Sequence, residues 1–567
     1  MTRFRLILAA FVVAVIVGLV PAAQAATNVL FVGAGSSAMW QQFGLATFNS
    51  VCNGGGGGSS ACSHYTIKGK NGTNNFSQLF DQRSASIPVE TGSLWVVWGP
   101  DVNVPANTDV WAYLTVDSAV GVRCYYAVPR CLVQLDSGTE TTAGQNLISP
   151  TLFNGNGPDA AGLPANVYTA LNGKAVTAGL TPIRAEDQKF ELTRTLTALN
   201  TTTYAGLGYG TGAGTLVGTQ IQGAAAYQGG TVTPVAFNLT GKDPFTALAV
   251  PASTTLPVGA APIIFYVNRT AGGSIANAAP QNLKTFAAQR IFNGTDCETS
   301  AIDSITNGAT SGPIHVIELE PIGGTTTTAE FTVFRTVSQP NNSQEKGVNP
   351  AVDNPLLQNC VHGGGDRGRA LGTSNGVKSV KATTDSLSYI FFSFGNVSTI
   401  AGNPSYGYLK LDGVDPIFSS YAGTAAGFDT NQNTSTTVLG QLPTCAGPCP
   451  VAPNASFPNV RSGAYRAWSI YRVVTDKTGV NNTNASAIVN AAEATVNENI
   501  PDFVPFGAQA DGDQGLTVFR SHYGAGAHNG INVPTEAGQD AGGAIFQRAD
   551  ELAIAGDTVK EILNVKN

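Results

Sequence analysis

The chain has 567 residues and a net charge of −7, and only 12% of its residues are charged, against roughly a quarter in ordinary globular domains. Thr, Asn, Ser, Gln and Gly must therefore cover most of the surface, and the lack of any basic run excludes nucleic acid as a partner. The length exceeds what one compact core supports, so two or three domains are expected.

Residues 1–25 place Arg3 and Arg5 ahead of an apolar stretch, residues 6–20, that gives way to Ala23-Gln24-Ala25. This is the layout of a secretory signal peptide cleaved after Ala25. The apolar stretch is short for a membrane span, and no cysteine stands at the cleavage point to take a lipid. The 8 cysteines agree with an oxidising compartment. Sequence neighbours suggest local staples, Cys52 with Cys62, Cys124 with Cys131 and Cys445 with Cys449, which leaves Cys297 and Cys360 for each other. Spacing alone does not fix this connectivity.

In chain order, Asn28-Val29-Leu30-Phe31-Val32 is a buried first strand ended by Gly33, and residues 39–48 fit a helix that Ser36 or Ser37 caps. The glycine run between Cys52 and Cys62 is a stapled loop. Residues 94–98 and 110–114 are further strands, and residues 136–166, rich in Gly, Thr, Asn and Pro, are a surface excursion. Helical spacing recurs over residues 185–199. Residues 261–267 form a strong buried strand, followed by a helix over 283–292 with Leu283, Phe286 and Ile291 facing a core. Ile314-His315-Val316-Ile317 is a strand that leads to a helix through Phe331 and Phe334, and residues 386–394 are a last apolar strand. Such alternation implies two doubly wound α/β lobes rather than an all-β array. Residues 484–567 form a further block with small core positions of its own, Phe503, Phe506, Val518 and Phe519.

Four segments carry small residues and hydroxyls beside an apolar run: Gly33-Ala34-Gly35-Ser36-Ser37, Gly179-Leu180-Thr181-Pro182-Ile183, Glu320-Pro321-Ile322-Gly323-Gly324-Thr325 and Gly372-Thr373-Ser374-Asn375-Gly376. Turns and helix starts of this kind present unpaired N–H groups, so together they suggest a cleft that captures an anion without lysines or arginines.

Taken together, these segments resemble the phosphate-binding-like family of periplasmic substrate-binding proteins that serve bacterial ABC importers. Val32-Gly33-Ala34-Gly35-Ser36-Ser37 is similar to its opening strand and Gly-Ala-Gly motif, and Gly179-Leu180-Thr181-Pro182 to its Gly-Ala-Ser-Asp stretch. Residues 259–268 with Arg290-Ile291-Phe292-Asn293-Gly294 resemble its hinge strand and following turn. Leu319 through Thr325 resemble its anion motif, Arg-x-x-x-Ser-Gly-Thr. Ser374-Asn375-Gly376 through Leu387-Ser388-Tyr389-Ile390, and Tyr465-Arg466-Ala467-Trp468-Ser469-Ile470-Tyr471, resemble later segments. The resemblance is patchy from residue 29 to 474.

It implies an α/β, two-lobed binding-protein fold of type II with inserted loops and a C-terminal extension. The implied division is 26–258 as first lobe, 259–395 as second lobe with hinge strands, 396–474 as a return to the first lobe, and 475–567 as the extension. It implies a binder rather than an enzyme, with no cofactor, that takes a small anion or other small solute and passes it to an importer membrane complex. The implied site is Gly35, Ser36, Ser37, Thr181, Arg184, Gly324, Thr325 and Thr326, with Thr327 adjoining. Two departures matter: Leu319 stands where the family has the arginine that pairs with phosphate, and Pro182 where it has the proton-accepting aspartate. A buried anion without those charge-assisted bonds is held less tightly, so phosphate affinity no better than about micromolar is expected.

Each of these residues also has a plainer role. Ser36 and Ser37 equally suit helix capping, the threonines a polar turn, and Arg184 a surface ion pair with Glu186 or Asp187. His362-Gly363-Gly364-Gly365-Asp366-Arg367 reads as an exposed, disordered loop rather than an anion or metal site. Asp511-Gly512-Asp513-Gln514-Gly515 starts like a calcium loop but would end it on His522. No Gly-x-Ser-x-Gly turn and no His-x-x-x-His pair supports a hydrolase. The competing class is a secreted structural or adhesive protein that keeps the binding-protein fold without transport.

Overall fold

The computed structural model describes residues 25–55, 61–71, 74–80, 82, 88–154, 157–182, 248–249, 252–303, 310–319, 323–334, 350–351, 358–370, 372–418, 442, 457–494, 502–506, 516, 518–520 and 545–547. Strand β1 (Thr27–Gly35) runs past Gly33, the residue expected to end it. It stops at Gly35, whose φ of +141° and contact with the Leu180 carbonyl leave no room for a Cβ. A turn of 3-10 helix (Ser37–Met39) then feeds α1 (Trp40–Ala46) and a π turn, Thr47–Val51. Ser36 caps this run, its hydroxyl accepting from the Ala38 N–H at 3.4 Å.

Next come β2 (Ser63–Ile67), β3 (Leu94–Pro100), β4 (Thr108–Thr115), α2 (Ser118–Tyr126), α3 (Ala165–Leu171) and β5 (Ala178–Thr181). Beyond them lie β6 (Ser253–Asn268), α4 (Thr285–Phe292), β7 (His315–Leu319), α5 (Gly324–Ala329), β8 (Asp366–Ala370) and α6 (Gly372–Ala382). Strands β9 (Ser386–Phe391), β10 (Tyr406–Leu411) and β11 (Trp468–Asp476) and helix α7 (Val480–Ala494) complete the main elements.

These strands join in the order β8-β7-β9-β6-β11-β5-β1-β4-β3-β2, with β10 beside β6. Two parallel groups, β8-β7-β9 and β5-β1-β4, each have helices after their strands, while β6 and β11 run antiparallel between them. The result is an α/β fold with a mixed sheet. β6 is long enough to belong to both groups. Its residues 253–262 pair with β11, and from Ile263 on it pairs with β9, Ile263 opposite Phe391 and Val267 opposite Leu387. The two apolar strands expected around residues 261–267 and 386–394 therefore pair directly. Pro257 is tolerated inside β6 because a register shift falls between it and Gly259.

Disulfides close Cys52 to Cys62, Cys124 to Cys131 and Cys297 to Cys360, in agreement with the sequence pairing. Cys445 and Cys449 lie outside the described residues, as do residues 1–24, the helix expected over 185–199 and the segment Asp511–Gly515.

Three expectations about these elements need correction. Phe286 is 68% exposed, because Ala288, Ile291 and Phe292 form the inner face of α4 and residue 286 falls opposite them. Leu283 is buried but precedes the helix in a short strand. The excursion over residues 136–166 runs over the surface as expected and is fastened there: buried Asp159 accepts from His64 Nδ1 at 2.7 Å, the Thr66 N–H at 3.0 Å and the Asn146 N–H at 2.7 Å, and Ile148, Leu152 and Phe153 enter the core. The glycine loop after His362 is a tight turn under the Cys297–Cys360 staple. Gly363 and Gly364 take positive φ, and Arg367 is buried against Glu318 at 3.3 Å and the Phe292 carbonyl at 2.8 Å.

The C-terminal block has no core apart from the rest in the residues described. Ala485, Ile488, Val489 and Ala492 of α7 and Phe503 join the main apolar core, and Asn484 donates to the Leu30 carbonyl at 2.8 Å.

Candidate functional site

Four strand-to-helix turns meet around one cavity of about 490 Å³. They are Ser36-Ser37 ahead of α1, Asp117-Ser118 at α2, Gly323-Gly324-Thr325 at α5 and Gly372-Thr373-Ser374-Asn375 at α6. The reason is topological: the strands feeding these helices belong to parallel groups, and the carboxyl ends of parallel strands open onto a common crevice. Helices α2 and α6, of nine and eleven residues, present their amino ends there, with partial positive charge and unpaired N–H groups. The rest of the wall comes from Lys68-Gly69, Thr91-Gly92-Ser93, Thr115-Val116, Leu319 and Lys378.

The Ser36 side is tied by a dense set of bonds. The Ser36 N–H donates to the Leu180 carbonyl at 3.0 Å, and the Val116 N–H to the Gly35 carbonyl at 2.9 Å. The Tyr113 hydroxyl donates to the Ser36 carbonyl, Trp40 Nε1 to the Tyr113 carbonyl at 3.2 Å, and Trp95 Nε1 to the Trp40 carbonyl at 2.9 Å. Burial pushes the Tyr113 phenol well above its ordinary range, which keeps it a donor at any accessible pH.

The facing side has bonds of its own. The Thr326 N–H donates to the Gly323 carbonyl at 3.0 Å, and the Tyr389 hydroxyl to Thr326 Oγ1 at 3.4 Å. Thr325 is 9% exposed and lines the cavity, and its hydroxyl makes no hydrogen bond to another described residue. The two sides touch at Gly324, whose N–H donates to Ser118 Oγ at 3.3 Å. A Cβ there would overlap the Pro182 ring and stand 2.8 Å from Ser118 Oγ, so glycine is required by the close approach.

Of the residues singled out in the sequence, Ser36, Ser37, Gly324 and Thr325 line this cavity. Gly35 immediately precedes it, and Thr326 is buried behind the wall. Thr181 is fully buried at the end of β5 and is not on the wall, although its neighbour Pro182 packs against Gly324. Arg184 lies outside the described residues, and Thr327 can be placed only as a residue of α5. Leu319 is on the wall where the resemblance puts an arginine.

Sequence reading missed Asp117-Ser118, which follow a recognised apolar strand and carry a helix-start signal. Asp117 is the N-cap residue of α2 by backbone geometry, yet its side chain makes no capping bond and lines the cavity. Arg472 was also missed. It is buried under Pro182, donating to that carbonyl at 3.0 Å, and the signal was a lone arginine in the apolar run of β11. Lys68 and residues 91–93 gave no signal. Among the described residues there is no group of three or more His, Cys, Asp or Glu side chains suited to a metal, and no helix long and apolar enough to cross a membrane.

No protein-family model matches the chain, and no curated protein is similar to it. Solved structures with a distantly similar chain path include a phosphate-binding protein from Stenotrophomonas maltophilia, 11% identical, with a TM-score of 0.30 over 82% of this chain and 83% of that one. A phosphate ABC transporter substrate-binding protein from Clostridium perfringens, solved with phosphate, is 14% identical with a TM-score of 0.24 over 43% of this chain and 70% of that one. PstS from Borrelia burgdorferi is 11% identical with a TM-score of 0.23 over 42% and 66%. At these values the likeness is one of distant chain path and identifies no ligand for this chain.

Proposed function

We propose that the chain is an extracytoplasmic solute-binding protein that captures a small oxyanion in this cavity. In this reading the two parallel strand groups are the lobes of a type II binding protein, and an importer complex is the downstream partner. One observation carries it: Ser36-Ser37, Ser118, Gly324-Thr325 and Thr373-Ser374, scattered over more than half the sequence, line one cavity with hydroxyls and helix starts. Donors of this kind hold an anion by charge-assisted bonds, and partial enclosure strengthens them. Three disulfides and the signal-like residues 1–25 support the location.

The site would bind as follows. Amides at α2 and α6 and the hydroxyls of Ser36 and Thr325 point donors at the oxygens, the buried Arg472 adds fixed positive charge behind Pro182, and Leu319 closes one side without charge. Calorimetric titration of the mature chain with phosphate, sulfate, molybdate and small carboxylates tests this. Binding of at least one of them at about micromolar strength is expected. Heat from none of them would leave the structural or adhesive role as the better account.

A further inference from the structure

We infer that the outer edge of strand β2 is a self-pairing surface, covered by a strap whose two arms are residues 144–146 and 159–160, and that the partner it fits is β2 of a second copy of this chain. The inference is independent of what the cavity binds.

Strand β2 ends the sheet order, and among the described residues it pairs with β3 alone. The other side of such a strand carries a row of main-chain donors and acceptors that must be met. Here the strap meets them, although neither arm is itself a strand. The Ala160 N–H donates to the His64 carbonyl at 3.0 Å, and the Gln145 N–H to the Thr66 carbonyl at 2.8 Å. The Thr66 N–H donates to Asp159 Oδ2 at 3.0 Å, and the Lys68 N–H to Gln145 Oε1 at 3.0 Å.

One carboxylate holds both arms to the edge. Asp159, on one arm, also accepts from His64 Nδ1 and the Thr66 hydroxyl of β2 and, at 2.7 Å, from the Asn146 N–H of the other arm. The Asp159 N–H donates in return to Asn146 Oδ1 at 2.8 Å. The arms lie so close that a Cβ on Gly144 would stand 2.2 Å from Asp159 Cβ.

Beneath the strap, Ser63-His64-Tyr65-Thr66-Ile67 has the composition of a segment that pairs readily with its like: β-forming residues, no proline, and no Asp, Glu, Lys or Arg. His64 and Thr66, two residues apart, turn their main-chain groups to the same edge. An antiparallel two-fold pairing that sets His64 opposite Thr66 of the second copy would use the groups that the strap takes, and would join two sheets into one. This self-complementarity selects a second copy over an unrelated strand.

The test opens the strap in the full mature chain and reads amide exchange together with oligomeric state. Asp159→Ala removes the shared carboxylate, and Gly144→Val drives the arms apart by overlap, so either variant serves where the other does not fold. In an opened variant, exchange at the Thr66 and Lys68 amides should quicken about a hundredfold or more while the amides of β1 and β4 stay protected. Sedimentation should then show a dimer whose share grows with concentration. Adding Thr66→Pro, which deletes an edge donor, should restore the monomer with β1 and β4 still protected. An opened variant that stays monomeric, a dimer that survives Thr66→Pro, edge amides as protected as in the parent, or loss of β1 and β4 protection in both variants overturns the inference.

Discussion

The two sides of the cavity are built from the same local recipe and held in different ways. At Gly35-Ser36-Ser37 the turn between strand and helix is fastened to its neighbours through Leu180, Val116 and Tyr113, and the Trp40–Trp95 pair continues the chain of bonds into the sheet. At Gly323-Gly324-Thr325 the turn also touches the other side, Gly324 against Ser118 and Pro182, and the Thr325 hydroxyl makes no hydrogen bond to another described residue. The first side is preformed, and the second offers the Thr325 hydroxyl to the cavity. Preorganised groups lose less on binding, so the two sides contribute differently to one affinity.

The strongest challenge to this comparison is Gly324→Val. A branched Cβ cannot enter between Pro182 and Ser118, so the facing turn must move away from the Ser36 side. Anion binding measured by calorimetry should fall by about a hundredfold or more, roughly 2.7 kcal/mol, while circular dichroism stays native. Unchanged binding would show that the two turns need not touch.

The region behind the second strand group carries a buried carboxyl whose contribution depends on pH. Asp415 belongs to the region behind β6 and β10, where it accepts from the Ile417 and Phe418 N–H groups at 2.8 Å each and from the Tyr408 hydroxyl at 2.8 Å. Burial raises its carboxyl from 3.8 to about 6, against the pull of those bonds. Between about pH 4 and 6 the folded chain keeps a proton that the unfolded chain has lost. Stability from this group therefore falls as pH rises through that window, by on the order of 2–3 kcal/mol. Asp415→Asn keeps an acceptor for both amides, and thermal melts from pH 4 to 7 should lose that component. A variant with the parent's pH slope would refute the assignment.

Tyr113→Phe removes the bond that fixes the Ser36 carbonyl and leaves that acceptor buried, which should cost about 1–3 kcal/mol of stability in denaturant titration. If the Ser36 side is preformed by this bond, anion affinity drops with it, and a variant that loses stability at constant affinity would break the comparison. The smallest effect is expected from Ser37→Ala, about 0.5–1.5 kcal/mol of binding, the scale of one net hydrogen bond.

Apolar strands were plain in the sequence, since Phe31-Val32, Trp95-Val96-Val97 and Ile263-Ile264-Phe265 have no other way to be buried. Proximity along the chain suggested the Cys52–Cys62 and Cys124–Cys131 pairs, and Cys297–Cys360, 63 residues apart, was reached only as the remainder. Helix α2 was missed because Val120, Gly121 and Val122 weaken its helical character, and it is kept by tertiary fit. Gly121 lies so close to the Ala34 carbonyl that a Cβ would overlap it. Phe286 was misread because aromatic residues weigh heavily in a periodicity whose inner face is set by Ala288, Ile291 and Phe292. At the site, the turns before α1, α5 and α6 were visible as Gly, Ser and Thr after a strand. Asp117 had only a helix-start signal, and residues 68–69 and 91–93 join the wall through folding alone, with nothing local in the sequence to mark them as part of it.

The central claim is that an anion sits at the helix starts between Ser36 and Thr325. Crystals of the mature chain grown with selenate would locate it through the anomalous signal of selenium. The account predicts one strong peak within hydrogen-bond distance of the Thr325 hydroxyl and the Ser36-Ser37 turn, and loss of that peak in Gly324→Val. A peak elsewhere, with this cavity holding only water, would contradict it.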